Sequence, residues 1–155
     1  MADLVTHAAA AALVKAATRG PHAAAFVAGS LLPDVLSRLP AMVFTALDGM
    51  VGVPAVLVYG WNPLHMPAGM VLAAWLLAMA FGEEVRRGVF WNLLGGMALH
   101  LGLDLLQSHL GVGYMLLFPV SHQTHELGWI GSEATVPFAL PMAAVAWGLW
   151  RWRRR

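Results

Sequence analysis

An all-α, polytopic integral membrane bundle of four to six helical segments is the fold class this sequence predicts. Three observations lead there. Hydrophobic residues make up 59% of the 155 residues and charged residues 11%, where a typical soluble domain is about 25% charged. The mean hydropathy is +0.68, and a chain this short has too much surface for its volume to hide that much apolar area from water. The charges also punctuate: no Asp, Glu, Lys or Arg lies between Asp48 and Glu83. Length alone gives one domain, 1–155. A net charge of +1 leaves no electrostatic footprint for nucleic acid. The absence of cysteine removes disulfides, thiolate metal sites and cysteine nucleophiles.

Residues 5–18 are alanine-rich and close on Lys15 and Arg19. Gly20-Pro21 makes a turn, and 22–33 is apolar again until Pro33 ends or kinks it. The two pieces either form a helical hairpin that only partly crosses or lie against the other helices. A signal peptide is disfavoured, because Asp3 stands where a basic region belongs and the cations follow the apolar run. The charge-free stretch that follows is too long for one span of about 20 residues. Pro54, Gly60, Asn62-Pro63 and Pro67 divide it into a segment near 41–60 and a span near 66–84. Glu83-Glu84 and Arg86-Arg87 read as a solvated turn. A helix over 88–106 follows and carries Asp104. The last uncharged run, 134–150, ends in Arg151, Arg153, Arg154 and Arg155, with Trp147, Trp150 and Trp152 as an interfacial belt.

Folding these segments as successive hairpins gathers Lys15, Arg19, Arg86, Arg87 and the C-terminal arginines on one face, which the positive-inside rule makes cytoplasmic. The other face collects Asp3, His7, Asp34, His65, Asp104, His109, His122, His125, Glu126 and Glu133. Arg38 is the one cation that falls away from the basic face.

Ionisable groups in a membrane protein are costly and mark functional sites. His100 and Asp104 stand at i and i+4 in an apolar helix and share one face. Such a pair either chelates one metal ion or sets a carboxylate to orient an imidazole. At ~1.5 Å per residue, His100 lies roughly 20 Å and Asp104 roughly 26 Å above Arg87; His65 lies about 32 Å from Arg86, and His7 about 18 Å from Arg19. His7, His65, His100 and Asp104 therefore reach one layer. Asp34, after Leu32-Pro33, either projects from the helix break or caps the next helix. Arg38, at i+4 from Asp34, is read first as its salt-bridge partner and otherwise as a bidentate phosphate ligand. His109, His122, His125 and Glu126 are read as loop groups, since Pro119 and Gly128 bound their segment.

The ordered set Thr6-His7, Leu32-Pro33-Asp34, His65, His100-x-x-x-Asp104 and Leu116-Leu117-Phe118-Pro119 resembles the bacterial membrane-bound metal-dependent hydrolases of the inner membrane. More distantly it is similar to zinc-dependent phospholipases C. The likeness covers roughly residues 5–130. It implies metal ligands at His7, Asp34, His65, His100 and Asp104, with Asp34 and Asp104 as the catalytic carboxylates. Two positions depart from the family pattern. Leu36 replaces the second Asp of Pro-Asp-x-Asp, and Gly60-Trp61-Asn62-Pro63 replaces a His-Arg-Gly element. What remains implies one divalent metal on three or four N/O ligands, with zinc first and manganese or iron after it. The reaction implied is hydrolysis of an ester or phosphoester by metal-activated water. The bilayer is the expected partner and a lipid or lipid-linked ester the expected substrate. Two other classes use the same residues: a non-enzymatic membrane scaffold with a degenerate site, and a small ion-binding transporter.

Overall fold

In the computed structural model the chain is mostly helical, with six α-helices among the described residues, 4–108, 113–131 and 134–153. Asp3, His109, Glu133, Arg154 and Arg155 lie outside them. The first helix, α1, runs Leu4–Thr18. Arg19 and His22 flank Gly20-Pro21 with φ of 56° and 55°, and Lys15 Nζ closes the turn by donating to the Pro21 carbonyl at 3.0 Å.

Helix α2 then runs unbroken over Ala23–Val51, with Pro33 and Pro40 inside it. This corrects the expected break at Pro33 and the separate segment near 41–60. Pro33 and Pro40 leave the Gly29 and Leu36 carbonyls without their helical donors, a loss that packing among neighbouring helices tolerates. Ser37 Oγ donates to the Pro33 carbonyl at 2.6 Å, and Ser30 Oγ to the Val27 carbonyl at 2.8 Å. Gly29, Ser30, Pro33, Asp34 and Ser37 form the buried face of α2. The helix ends at Gly52 (φ 69°), where Asp48 Oδ1 accepts the Val53 N–H at 2.6 Å.

A short α3, Ala55–Tyr59, and a 3-10 turn, Asn62–His65, lead to α4, Pro67–Ala78. The span expected near 66–84 is thus a helix of 12 residues, about 18 Å long. The chain tightens after it: the Met79 N–H bonds the carbonyls of Trp75 and Leu76, and the Phe81 N–H that of Ala78. Arg86 then donates twice to the Phe81 carbonyl, at 3.2 and 3.3 Å. Glu83 and Glu84 belong to the first turn of α5, Glu83–Leu106, where carboxylates stabilise the positive end of the helix dipole; they are not a separate turn. Beyond α5, β1 (Gln107–Ser108) pairs in parallel with β2 (Ile130–Gly131). A 3-10 turn, Val136–Phe138, opens α6, Ala139–Trp152.

Helices α2 and α5 run parallel. His22 lies beside Gly88, the Phe26 backbone against Gly96, Gly29 against the Leu93 backbone, and Arg38 beside Asp104. A Cβ on Gly96 would stand 2.0 Å from the Phe26 carbonyl oxygen, and one on Gly29 2.2 Å from that of Leu93. Only glycine permits backbones this close. Helix α4 returns antiparallel to α5 and packs Met70, Ala73, Ala74 and Ala78 on Val89, Leu93 and Met97. Helix α1 packs against α2, and α6 against α1. Ser30 Oγ reaches the His7 carbonyl at 3.3 Å, and Arg153 donates to the Ala17 carbonyl at 3.2 Å. One end of the bundle therefore carries Lys15, Arg19, Arg86, Arg87, Arg151 and Arg153, and the other His7, Asp34, His65, His100 and Asp104.

Two helices are long and apolar enough to cross a membrane: α2, with 29 residues, and α5, with 24. At 1.5 Å per residue they measure about 43 and 36 Å, against a hydrocarbon core of about 30 Å. Leu72, Trp75 and Leu76 of α4 and Leu140 and Trp147 of α6 are exposed on the outside.

Candidate metal centre

Five elements bring their polar residues to one point. Helix α1 delivers His7, the buried face of α2 delivers Ser30, Asp34, Ser37 and Arg38, and the 3-10 turn delivers His65. The last turns of α5 deliver His100 and Asp104, and the loop after it Tyr114. His7, His100 and Asp104 are fully buried. Ligand atoms of Asp34, His65, His100 and Asp104 all lie within 4.8 Å of one another, so this buried group can hold a metal ion.

The hydrogen bonds around the two imidazoles are compatible with Nδ1–H tautomers. His100 Nδ1 is 2.8 Å from the Ser30 carbonyl, which only accepts. Nδ1 therefore carries the proton, and Nε2 of the neutral ring is a bare lone pair. Ser37 Oγ has one proton and gives it to the Pro33 carbonyl. With that proton so placed, the 3.1 Å contact between Ser37 Oγ and His65 Nδ1 uses the Nδ1 proton and the Nδ1–H tautomer leaves Nε2 a lone pair; a ring protonated at Nε2 instead donates to Asp104 Oδ2 at 3.1 Å. The two Nε2 atoms face each other at 3.2 Å. Asp104 Oδ2 stands 3.1 Å from His65 Nε2 and 3.4 Å from His100 Nε2, and Asp34 Oδ1 3.8 Å from His100 Nε2. Acceptors turned on acceptors repel in a buried site. A cation between them, either a proton or a metal ion, removes that repulsion.

The same need appears at the rim. The side-chain oxygens Asp34 Oδ1 and Asp104 Oδ1 and both ring nitrogens of His7 are buried without a hydrogen bond. His7 Nε2 does lie 3.2 Å from Asp104 Oδ1, close enough to attract but misaligned for a bond. Its ring stacks on that of His100 with centroids 3.9 Å apart. His7 thus adjoins the four-residue group.

Arg38 Nε is 2.9 Å from Asp34 Oδ1 and Arg38 Nη2 3.5 Å from Asp104 Oδ2. Asp34 sits in the interior of α2, so it does not cap a following helix; its partner at i+4 is the one the spacing suggests. Tyr114 donates to Asp104 Oδ2 at 2.6 Å and accepts from Arg38 at 3.1 Å. Burial, and then the adjacent Asp104 carboxylate, pushes the Tyr114 phenol well above its ordinary value, so it remains a donor. The backbones of Tyr114 and His125 pair in both directions at 2.9 Å. His125, with Glu126, is outside the cluster. His122 packs edge-on to Phe118, and His109 lies outside the described residues.

Sequence reasoning missed Ser30, Ser37 and Tyr114. The serines carried a signal. Positions 30, 34 and 37 follow helical spacing, so three polar side chains share one face of an apolar helix. No family model, curated protein or solved structure matches this chain.

Proposed function

We propose that the chain is a polytopic inner-membrane protein that holds one divalent metal ion, zinc first, on Asp34, His65, His100 and Asp104, and that it hydrolyses an ester or phosphoester at the membrane boundary. The observation that carries this reading is the pair of imidazole Nε2 atoms 3.2 Å apart, both facing the Asp104 carboxylate, with each Nδ1 hydrogen-bonded to an oxygen behind it. Metal-bound histidines are held in this way, with the far nitrogen donating to a carbonyl or another oxygen. Nitrogen and oxygen donors without thiolate suit zinc, manganese or iron. A bound ion would lower the pKa of a coordinated water toward neutrality and polarise a phosphoryl or carbonyl oxygen.

The chain's own groups supply the rest. Tyr114 and Arg38 steady Asp104 and Asp34. Asp34, paired with Arg38 through Oδ1, is the carboxylate that would orient a water or take its proton where it does not bind the metal. Arg38 is the most exposed of these groups at 23%, and an anionic substrate group would meet it first. The ordered motifs support the resemblance to membrane-bound metal-dependent hydrolases, and the site's place at one end of the apolar helices favours a lipid or lipid-linked substrate. The positive-inside rule puts the basic end and the C-terminus in the cytoplasm.

Arg38 favours a second reading. A guanidinium between two buried carboxylates offsets one of their two charges and a proton shared by the histidines offsets the other, so the cluster becomes a closed polar knot in a scaffold. Elemental analysis of detergent-purified protein separates the two. The hydrolase reading expects about one metal ion per chain in the wild type and none in the double variant His100→Ala, Asp104→Ala. Absence of metal from the wild type, even after incubation with zinc or manganese, would establish the knot.

A further inference from the structure

At the basic end of the bundle a cleft of about 530 Å³ opens between α1, α2 and α6. Alanines of all three helices line it, among them Ala12, Ala16, Ala24 and Ala143, with Trp147 and Trp150 along one side and Lys15 as the charged lining residue. We propose that this cleft seats an acyl chain of one anionic phospholipid from the leaflet on the basic side, with the phosphate held by Lys15 and the arginines beside it. The inference rests on the membrane placement above and concerns a site separate from the metal centre.

The size lies within the range of about 300–1,000 Å³ usual for small-ligand pockets. Alanine walls form a smooth trough that suits an unbranched alkyl chain and supply no polar groups to orient a sugar or a base. The charge is one-sided. Lys15, Arg19, Arg86, Arg87, Arg151 and Arg153 gather at this end against Glu83 and Glu84. Lys15 is held in place: its ammonium donates to the Pro21 carbonyl and stands 5.2 Å over the Phe26 ring. An ammonium has three donors, and the Pro21 carbonyl takes one of them. Arg153 anchors to the Ala17 carbonyl through Nη1 while its Nε is buried without a partner. Trp147, with Arg151 5.4 Å over its ring, is exposed beside the cleft, at the level where aromatic side chains meet headgroups.

The test uses the full chain, first floated with vesicles and then exchanged into micelles holding equal phosphatidylglycerol and phosphatidylcholine. Native mass spectrometry reads the lipid retained. The wild type should keep one phosphatidylglycerol per chain in preference to phosphatidylcholine. Lys15→Gln should lose about fivefold of that preference, the worth of one cation near an anionic surface. Ala16→Trp should abolish retention by filling the trough, and Ala143→Leu, a gentler filling from α6, should weaken it if Ala16→Trp fails to fold. Equal retention of the two lipids by the wild type overturns the proposal, as does undiminished retention in a folded cleft-filling variant. A chain that does not float with vesicles overturns the membrane placement and this inference with it; one that floats and then shows no lipid preference overturns this inference alone.

Discussion

Ser37 has a single proton, and the Pro33 carbonyl takes it at 2.6 Å. With that assignment His65 Nδ1 donates to Ser37, and Nε2 faces Asp104 and His100. Changing Ser37 to Ala removes the acceptor. The imidazole can then carry its proton on Nε2, where a metal would bind. Groups that orient a metal-bound histidine contribute about 10–100-fold in affinity, and Ser37→Ala should lose zinc affinity in that range with its helical circular dichroism unchanged. Competition with a chromogenic chelator measures this, and an unchanged affinity would sink the tautomer argument. How far such residues can be found from sequence differs from one to the next. Ser37 shares a helix face with Asp34 and follows from the 3.6-residue period alone. Tyr114 arrives from a loop ten residues beyond Asp104, and its approach depends on backbone pairing with His125, which no local pattern encodes.

The α2–α5 contact sets the spacing of the metal centre, because Ser30, Asp34 and Arg38 on one helix meet His100 and Asp104 on the other. Gly29 and Gly96 bring the two backbones together, and the atoms a Cβ would strike are backbone carbonyls, at 2.2 and 2.0 Å. No side-chain rotation relieves that overlap. Gly29→Ala and Gly96→Ala should each cost about 1–3 kcal/mol, the usual range for overpacking, and should lower metal affinity with the melting temperature. Gly102, also on α5, has open space where a Cβ would stand, with nothing within 4 Å. Its change to Ala should be neutral or stabilising by up to about 1 kcal/mol, since alanine is the better helix former. Thermal melts in detergent compare the three; equal losses would remove the close contact as the cause. Local sequence divides α2 because Pro33 and Pro40 are stop signals. What overrides them is tertiary: the buried seam against α5. The reverse error at 66–84 has the same origin. An uncharged run looks like one span, but Arg86 reaching back to the Phe81 carbonyl is a contact that hydropathy does not contain.

Across the molecule, basic residues gather at one end and the His/Asp cluster lies away from it, at the C-terminal end of α5 and midway along α2, and that polarity makes orientation testable. The charge pattern along the sequence is enough to anticipate it, because Lys15, Arg19, Arg86, Arg87 and the C-terminal arginines fall where successive hairpins return to one face. The chain has no cysteine, so a single introduced thiol is labelled without background. Val120, in the loop region at the cluster end, is 93% exposed, and Glu84 is exposed at the basic end. If the positive-inside rule holds, a membrane-impermeant maleimide should label Val120→Cys in intact cells and Glu84→Cys only after lysis. The reverse pattern would invert the orientation and put the metal centre, with any lipid substrate, at the cytoplasmic boundary. Labelling of both sites in intact cells would mean that the chain does not span. The stretch through α2 and α5, each longer than the hydrocarbon core is thick, would then need another apolar partner, and the His/Asp cluster would lose the boundary location on which the lipid-substrate reading depends.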